Sequence, residues 1–253
     1  MEYGLIGEKL GHSYSKLIHE QLADYTYDLV PLTREEFPLF MKKKEFKAIN
    51  VTIPYKKDVI PYLDELDSHA AQIGAVNTIV NKEGRLIGHN TDYDGFLYMV
   101  RRNQIDMEGK KVLVLGTGGA SAAVCAVVKA LNASPLLSVS RSGKDGALTY
   151  EECRRAHTDA AVIVNTTPVG MYPNADASPI DLTPFTACEA VLDIIYNPKE
   201  TRLTAQAKTL GMKGVTGLCM LTAQAKYACE YFLDRRMDDS VIEKVTCLIE
   251  DTL

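Results

Sequence analysis

The stretch from Lys110 to Ala123, Lys-Lys-Val-Leu-Val-Leu-Gly-Thr-Gly-Gly-Ala-Ser-Ala-Ala, constrains the fold more than any other. Val112, Leu113, Val114 and Leu115 form an unalternating apolar run, the pattern of a parallel strand buried on both faces. Gly116, Gly118 and Gly119 follow, and then Ala120 to Leu131 is apolar at helical spacing. A strand, a glycine turn and a helix in that order suit a bound pyrophosphate. Glycines let backbone approach the phosphates, and the helix start offers free N–H groups and a positive dipole end. A plain tight turn between packed elements is the alternative, and the strand and helix context favours the nucleotide site.

At 253 residues the chain has room for one large domain or two modest ones. Its formal charge of −5 gives no general attraction for nucleic acid, so an anionic ligand must be met by local donors. It opens on Tyr3-Gly4-Leu5-Ile6 without a basic region or long apolar run, and no stretch is long enough to span a membrane. A cytoplasmic protein with neither a membrane nor a nucleic-acid partner is expected. The six cysteines are scattered, several at apolar helical positions, which reads as reduced core thiols. The five histidines include no pair at metal-ligand spacing, so no metal is expected.

The first half alternates strand and helix, as an α/β unit does. Strands are read at Tyr3–Ile6 and Tyr27–Leu32, and a helix at Glu35–Lys44. Ser13 and Ser15 stand where the first strand hands over to a helix. Either hydroxyl suits an N-cap, and the two together suit a carboxylate. Ala48 to Ile53 reads as a strand with Ile49, Val51 and Ile53 on one face and Asn50 and Thr52 on the other. Lys56 is expected to open the following helix, an unfavourable place for a cation beside a helix dipole and hence one that asks for a reason. Asp67–Ile73 reads as a helix. Ile79–Asn81 and Arg85–Gly88 read as a hairpin that delivers Asn90, Thr91 and Asp92 to a helix from Tyr93 to about Asn103. Asp92 is also placed to cap that helix. Asn50, Thr52, Asn77, Asn90, Thr91 and Asp92 form an uncharged donor–acceptor set with one carboxylate, chemistry suited to a small polyol. Lys56 and Asp92 are the titrating pair for proton transfer.

In the second half, a strand at Leu136–Val139 ends in Ser140-Arg141-Ser142-Gly143-Lys144. A dinucleotide fold binding a free ribose 2′-hydroxyl places an acid here. Arg141 and Lys144 stand there instead, which favours a 2′-phosphate and NADP(H) over NAD(H). Further strands are read at Val162–Asn165, Val191–Pro198 and Met212–Val215, and helices at Arg202–Leu210, from Gly217 to about Leu233, and Val241–Ile249. Domain boundaries are expected near Asn103 and Thr216. Residues 1–103 with 217–253 would form one discontinuous substrate-binding and catalytic domain, and 104–216 a dinucleotide-binding one.

Laid out in order, the motifs resemble those of the shikimate dehydrogenase family, from the route to chorismate and the aromatic amino acids. They are Gly11-His12-Ser13 with Ser15, Asn50 to Lys56, Gly74 to Thr78, and Asn90-Thr91-Asp92 with Gly95. They continue as Gly116 to Ala120, Asn165 to Met171, Asp193 with Tyr196, and Gly217 with Met220, Leu221 and Gln224. The resemblance covers nearly the whole chain and implies two α/β domains flanking a cleft, the second Rossmann-like, and NADPH-dependent reduction of 3-dehydroshikimate to shikimate. It implies that Ser13 and Ser15 hold the substrate carboxylate. Asn50, Thr52, Asn77, Asp92 and Gln224 would hold ring hydroxyls, and Tyr196 would close the pocket. Lys56 and Asp92 would be the catalytic pair. Gly116, Gly118, Gly119, Ala120, Ser140, Arg141, Lys144 and Thr166 would hold NADP, with Ile194 and Gly217 near its nicotinamide. Lys16, Cys219 and Ser140 depart from the family pattern, standing where many relatives carry proline, glycine and asparagine. An enzyme of the same fold acting on quinate with NAD is the nearest alternative. A non-catalytic NADPH-binding regulator is more distant, since the Lys56–Asp92 pair is intact. Monomer and homodimer both remain open.

Overall fold

Strand β1 (Tyr3–Gly7) buries all but its first residue and pairs in parallel with β2 (Tyr27–Pro31) on one side and β3 (Ala48–Val51) on the other. The structure is a computed structural model that describes residues 1–11 and 13–252; His12 of the Gly11-His12-Ser13 motif lies outside the described residues. Beyond β3 the sheet turns antiparallel through the hairpin β5 (Thr78–Lys82) and β6 (Arg85–His89), and the two-residue β4 (Glu65–Leu66) closes the edge in parallel with β6. The order is β2-β1-β3-β5-β6-β4. Alternation along the strands sends Ile6, Ile49, Val51 and Ile79 to one face, where they meet Phe37 and Met41 of α2 (Glu36–Lys43). Leu5, Tyr27, Ala48 and Val80 take the other face, against Ala228 and Phe232 of α8 (Leu218–Leu233). Three more helices belong here: α1 (Ser15–Leu22), α3 (Ser68–Ile73), capped by Asp67, and the start of α4 (Thr91–Arg102).

Two expectations for this half fail. Ile53 is not on the core face. Strand β3 stops at Val51: the Thr52 amide makes the last bond of the ladder, to Ile6 O, the Tyr55 amide then closes a turn on the Thr52 carbonyl, and Ile53 is 72% exposed. Nor does Lys56 open a helix. Residues 53–59 form turns tied by Tyr55 N to Thr52 O and Val59 N to Tyr55 O, with only a short 3-10 segment, Ile60–Tyr62, after them. The helix-dipole argument for Lys56 therefore falls away, and its surroundings must account for it.

The second sheet is parallel throughout, in the order β11-β10-β9-β7-β8. Its strands are β7 (Val112–Leu115), β8 (Leu136–Val139), β9 (Val162–Asn165), β10 (Ala190–Asp193) and β11 (Lys213–Thr216). Helix α5 (Gly119–Ala130) joins β7 to β8, and α7 (Arg202–Thr209) joins β10 to β11. Between β8 and β9 lies α6 (Tyr150–Ala156), which the sequence reading leaves out; Thr149 and Glu152 cap it reciprocally. Leu113, Leu115, Ile163, Val191 and Leu203 share one apolar core. Strand β10 is four residues long and ends at Asp193, so Tyr196 stands in the following loop.

The chain divides into two compact units, Met1–Gly95 with Thr222–Ile249, and Phe96–Leu221 with a short piece from Glu250. The crossings at Gly95 and Leu221 fall inside helices α4 and α8, whereas the sequence places the boundaries near Asn103 and Thr216. The last helix, α9 (Ser240–Glu250), belongs to the first unit through Ile249. All six cysteines are unpaired; Cys247 is exposed and Cys125 half-buried, while the other four are buried. Among the described residues no helix is long and apolar enough to cross a membrane.

Candidate active site

Register in the first sheet gathers the polar residues at one edge. Strands β1 and β3 run toward it and end at Gly7 and Val51, just before the Ser13–Ser15 loop and the Thr52–Lys56 turn. Because β5 is antiparallel to β3, with Asn50 opposite Thr78, it begins at that same edge, where Asn77 precedes it. Strand β6 returns there, Thr78 opposite His89, and delivers Asn90, Thr91 and Asp92. The C-terminal edge of parallel strands is where open α/β sheets bind ligands.

Lys56 and Asp92 meet directly. The ammonium Nζ donates to Asp92 Oδ2 at 2.5 Å, with the side chains only 18% and 13% exposed. The other carboxylate oxygen, Oδ1, accepts from Asn77 Nδ2 at 3.0 Å. Asp92 therefore does not spend its side chain on capping α4. Asn90 does that, its Oδ1 accepting the Asp92 amide at 3.2 Å. The Lys56 carbonyl accepts the Val76 amide at 2.8 Å, which ties the lysine's turn to the residues just before Asn77.

The remaining predicted polar residues divide. Ser13 and Ser15 are together and half-buried, and the Ser13 Oγ accepts the Ser15 amide at 3.2 Å. Tyr14, rather than either serine, takes the N-cap position of α1, its side chain not capping the helix. Thr52 is half-buried beside the Lys56 turn. Asn50, Asn90 and Thr91 are buried behind this edge. Asn50 Nδ2 donates to Asn77 O at 3.2 Å and Thr78 Oγ1 at 3.0 Å, so both its amide protons are used within the protein. Asn90 Nδ2 goes to Ala75 O at 2.8 Å. The Thr91 amide and hydroxyl both turn to Asn77 Oδ1. Gln224 is half-buried on α8. Tyr27 and Thr78, to which the sequence reading assigns no site role, also belong to this network. Tyr27 OH donates to Asn50 Oδ1 at 2.7 Å, and Thr78 Oγ1 to Asn77 Oδ1 at 3.0 Å. Lys16 also finds a role, its Nζ bonding Glu20 and the Tyr27 carbonyl, each at 2.8 Å.

In the second unit the strand order reverses between β7 and β9, the switch point at which doubly wound sheets bind ligands. The Gly116–Ala120 loop and Thr166 leave the sheet there. Gly116 has φ +102°, and a Cβ on it would lie 2.8 Å from Thr166 Oγ1, which is fixed by its own bond to Leu115 O at 2.7 Å. Helix α5 begins without a side-chain cap, and a Cβ at Gly118 or Gly119 would meet nothing within 4 Å. Ser140 orders the turn after β8 by accepting the Gly143 amide at 3.1 Å, and Arg141 and Lys144 on that turn are exposed. Ile194 and Gly217 come together at the ends of β10 and β11, where a Cβ on Gly217 would fall 2.1 Å from the Ile194 carbonyl oxygen. Beneath them, buried Asp193 accepts from Asn165 Nδ2 (3.0 Å), Ile195 N (3.1 Å) and Thr201 Oγ1 (2.8 Å). Burial pushes its carboxyl up to about 6. Tyr196 is half-buried beyond β10.

A hydrogen-bonded amine–carboxylate pair at one sheet edge and a glycine loop at a switch point fit a nucleotide-dependent oxidoreductase, and the comparisons with known proteins agree. Residues 5–79 match the family model described as the shikimate dehydrogenase substrate binding domain. A shikimate dehydrogenase (NADP(+)) from Clostridium perfringens (strain SM101 / Type A) is 37% identical over 273 residues, covering 97% of this chain and 98% of that protein. Among solved structures, a chorismate mutase/shikimate 5-dehydrogenase fusion protein from Clostridium acetobutylicum superposes with a TM-score of 0.93 at 34% identity, covering 99% of this chain and 97% of that one. The shikimate 5-dehydrogenase from Thermus thermophilus in complex with NADP(H) and shikimate gives 0.86 at 30% identity, covering 98% and 99%. With identity of that order sustained along almost its whole length, the chain belongs to the shikimate dehydrogenase family.

Proposed function

We propose that the chain catalyses the reversible reduction of 3-dehydroshikimate to shikimate with NADPH, the unit built on Met1–Gly95 binding the substrate and the other the nucleotide. The observation that carries this is the Lys56–Asp92 pair, joined at 2.5 Å and steadied by Asn77 at a sheet edge rich in neutral hydrogen-bonding groups. In the reductive direction Lys56 gives a proton to the carbonyl oxygen, and in the oxidative direction it takes the proton back from the hydroxyl. Asp92 holds the ammonium in place and offers its carboxylate to a ring hydroxyl. Ser13 and Ser15 receive the substrate carboxylate. Thr52, Asn77 and Gln224 supply neutral donors and acceptors for the remaining hydroxyls.

The second unit fits NADP(H). The open backbone over Gly118 and Gly119, the uncapped start of α5 at Gly119–Ala120, and exposed Arg141 and Lys144 after β8 offer what a pyrophosphate and a 2′-phosphate require. The nicotinamide, when bound, supplies or accepts the hydride. Thr166 shapes the glycine loop, and Ile194 and Gly217 offer a close-packed backbone surface beside it. Steady-state assays with shikimate and quinate, each with NADP and NAD, test the reading: the highest kcat/KM is expected for shikimate with NADP. A preference for quinate with NAD, or no turnover of either substrate, overturns it.

A further inference from the structure

We propose that Tyr27, Asn50 and Thr78 are positioning residues for the Lys56–Asp92 pair, forming a buried column that fixes the amide of Asn77 without touching substrate. For its catalytic consequences this rests on the oxidoreductase reading above. The column begins at Tyr27, which is fully buried and stacked on His19 with ring centroids 4.1 Å apart. Its hydroxyl donates to Asn50 Oδ1 at 2.7 Å, so the Asn50 amide group faces the other way, toward Asn77 O and Thr78 Oγ1. Having accepted from Asn50, the Thr78 hydroxyl has one proton to give; Asn77 Oδ1 lies 3.0 Å away to receive it, and the Thr91 hydroxyl, 3.2 Å from Thr78 Oγ1, itself bonds the same Asn77 Oδ1.

Polarity is fixed at the far end too. The Thr91 amide, which can only donate, points at Asn77 Oδ1 from 2.8 Å, and the Asp92 carboxylate, which accepts when ionised, lies 3.0 Å from Asn77 Nδ2. Turning the Asn77 amide over would set N–H against N–H and oxygen against carboxylate. One orientation therefore satisfies every member, and it leaves Asp92 Oδ2 to Lys56. Asn50 is 5% exposed with both amide protons used, and Thr78 and Tyr27 are fully buried. This departs from the ligand-contacting role that resemblance alone suggests for Asn50.

Thr78→Val removes the hydroxyl while keeping the shape, Thr78→Ser keeps the hydroxyl, and Tyr27→Phe breaks the column at its remote end. With shikimate and NADP, Thr78→Val is expected to lower kcat about ten- to hundredfold while KM for shikimate moves less than about threefold, and Thr78→Ser to restore most of the loss. The Lys56 ammonium, followed by NMR in protein labelled at lysine Cε and assigned through Lys56→Met, is expected to shift its titration midpoint by about half a pH unit or more in Thr78→Val. Tyr27→Phe is expected to move it in the same direction, which keeps the test available should Thr78→Val fail to fold. An unmoved midpoint in the folded variants, a KM effect with kcat unchanged, or equal loss in Thr78→Val and Thr78→Ser overturns the proposal. If the parent chain does not turn over shikimate, the oxidoreductase reading falls, while the Lys56 titration still decides the column.

Discussion

Lys56 sits in a turn, not on a helix, and Asp92 is its electrostatic partner. The half-buried Lys56 ammonium lies 2.5 Å from the Asp92 carboxylate, which is in turn steadied by a neutral amide. An alanine at 56 takes the ammonium away from Asp92 Oδ2 and removes the proton donor altogether. Lys56→Ala is expected to lower kcat for shikimate by about 10²-fold or more, with a smaller change in KM, as loss of a general acid–base group does. Steady-state kinetics in both directions check this; a kcat within a few-fold of the parent would take proton transfer away from Lys56. The lysine and aspartate were readable as a pair from residue type and family motif. Their support was not. Tyr27 reaches Asn50 across 23 positions of sequence, and only the sheet order β2-β1-β3 brings the two within reach.

At the scale of elements, the ends of β9, β10 and α7 are held by one buried carboxylate. Asp193 joins Asn165 at the end of β9 to Thr201 at the cap of α7, and burial raises its pKa from 3.8 to about 6. The folded state thus binds this proton more tightly than the unfolded chain. Its contribution to stability is fully present below about pH 4 and is lost as pH rises through about 6, a change of roughly 3 kcal/mol. Asp193→Asn keeps an acceptor for Asn165 and Ile195 and can donate to Thr201, yet does not titrate. Urea unfolding from pH 4 to pH 7 is expected to show the variant gaining on the parent across that window. A constant difference would mean that Asp193 keeps its ordinary pKa in the fold. The elements themselves were largely legible, because runs such as Val112–Leu115 and Val162–Asn165 admit little but a buried strand. Errors fell where tertiary pairing decides. Ile53 is β-branched and in phase with Val51, but a turn closed by the Tyr55 amide on the Thr52 carbonyl takes it out of the strand. Helix α6 carried its Thr149–Glu152 capping signal, yet buries only Cys153 and so lacked an apolar stripe. Strand β4 has two residues, and its pairing with β6 has no local cause.

For the molecule as a whole, a net charge of −5 means that a multiply charged nucleotide gains nothing from the average field. Selectivity must come from a few cations placed where the phosphates lie. In the nucleotide unit the turn after β8 presents Arg141 and Lys144 to solvent, next in the sheet to the strand that carries the glycine loop. A 2′-phosphate brings close to two negative charges, which Arg141 can meet with its planar fork and Lys144 as a point charge. A charge-assisted hydrogen bond contributes about 1.5–3 kcal/mol, so one good arginine contact amounts to roughly ten- to hundredfold in affinity. Arg141→Ala is therefore expected to weaken NADP by about that factor and leave NAD nearly untouched. Arg141→Asp goes further, because it repels the phosphate and gives the free ribose hydroxyl an acceptor. The deciding measurement is kcat/KM for both cofactors in the parent and both variants. A parent that already prefers NAD, or variants that lose both cofactors equally, would leave Arg141 a surface residue and turn the argument toward an NAD enzyme of the quinate type.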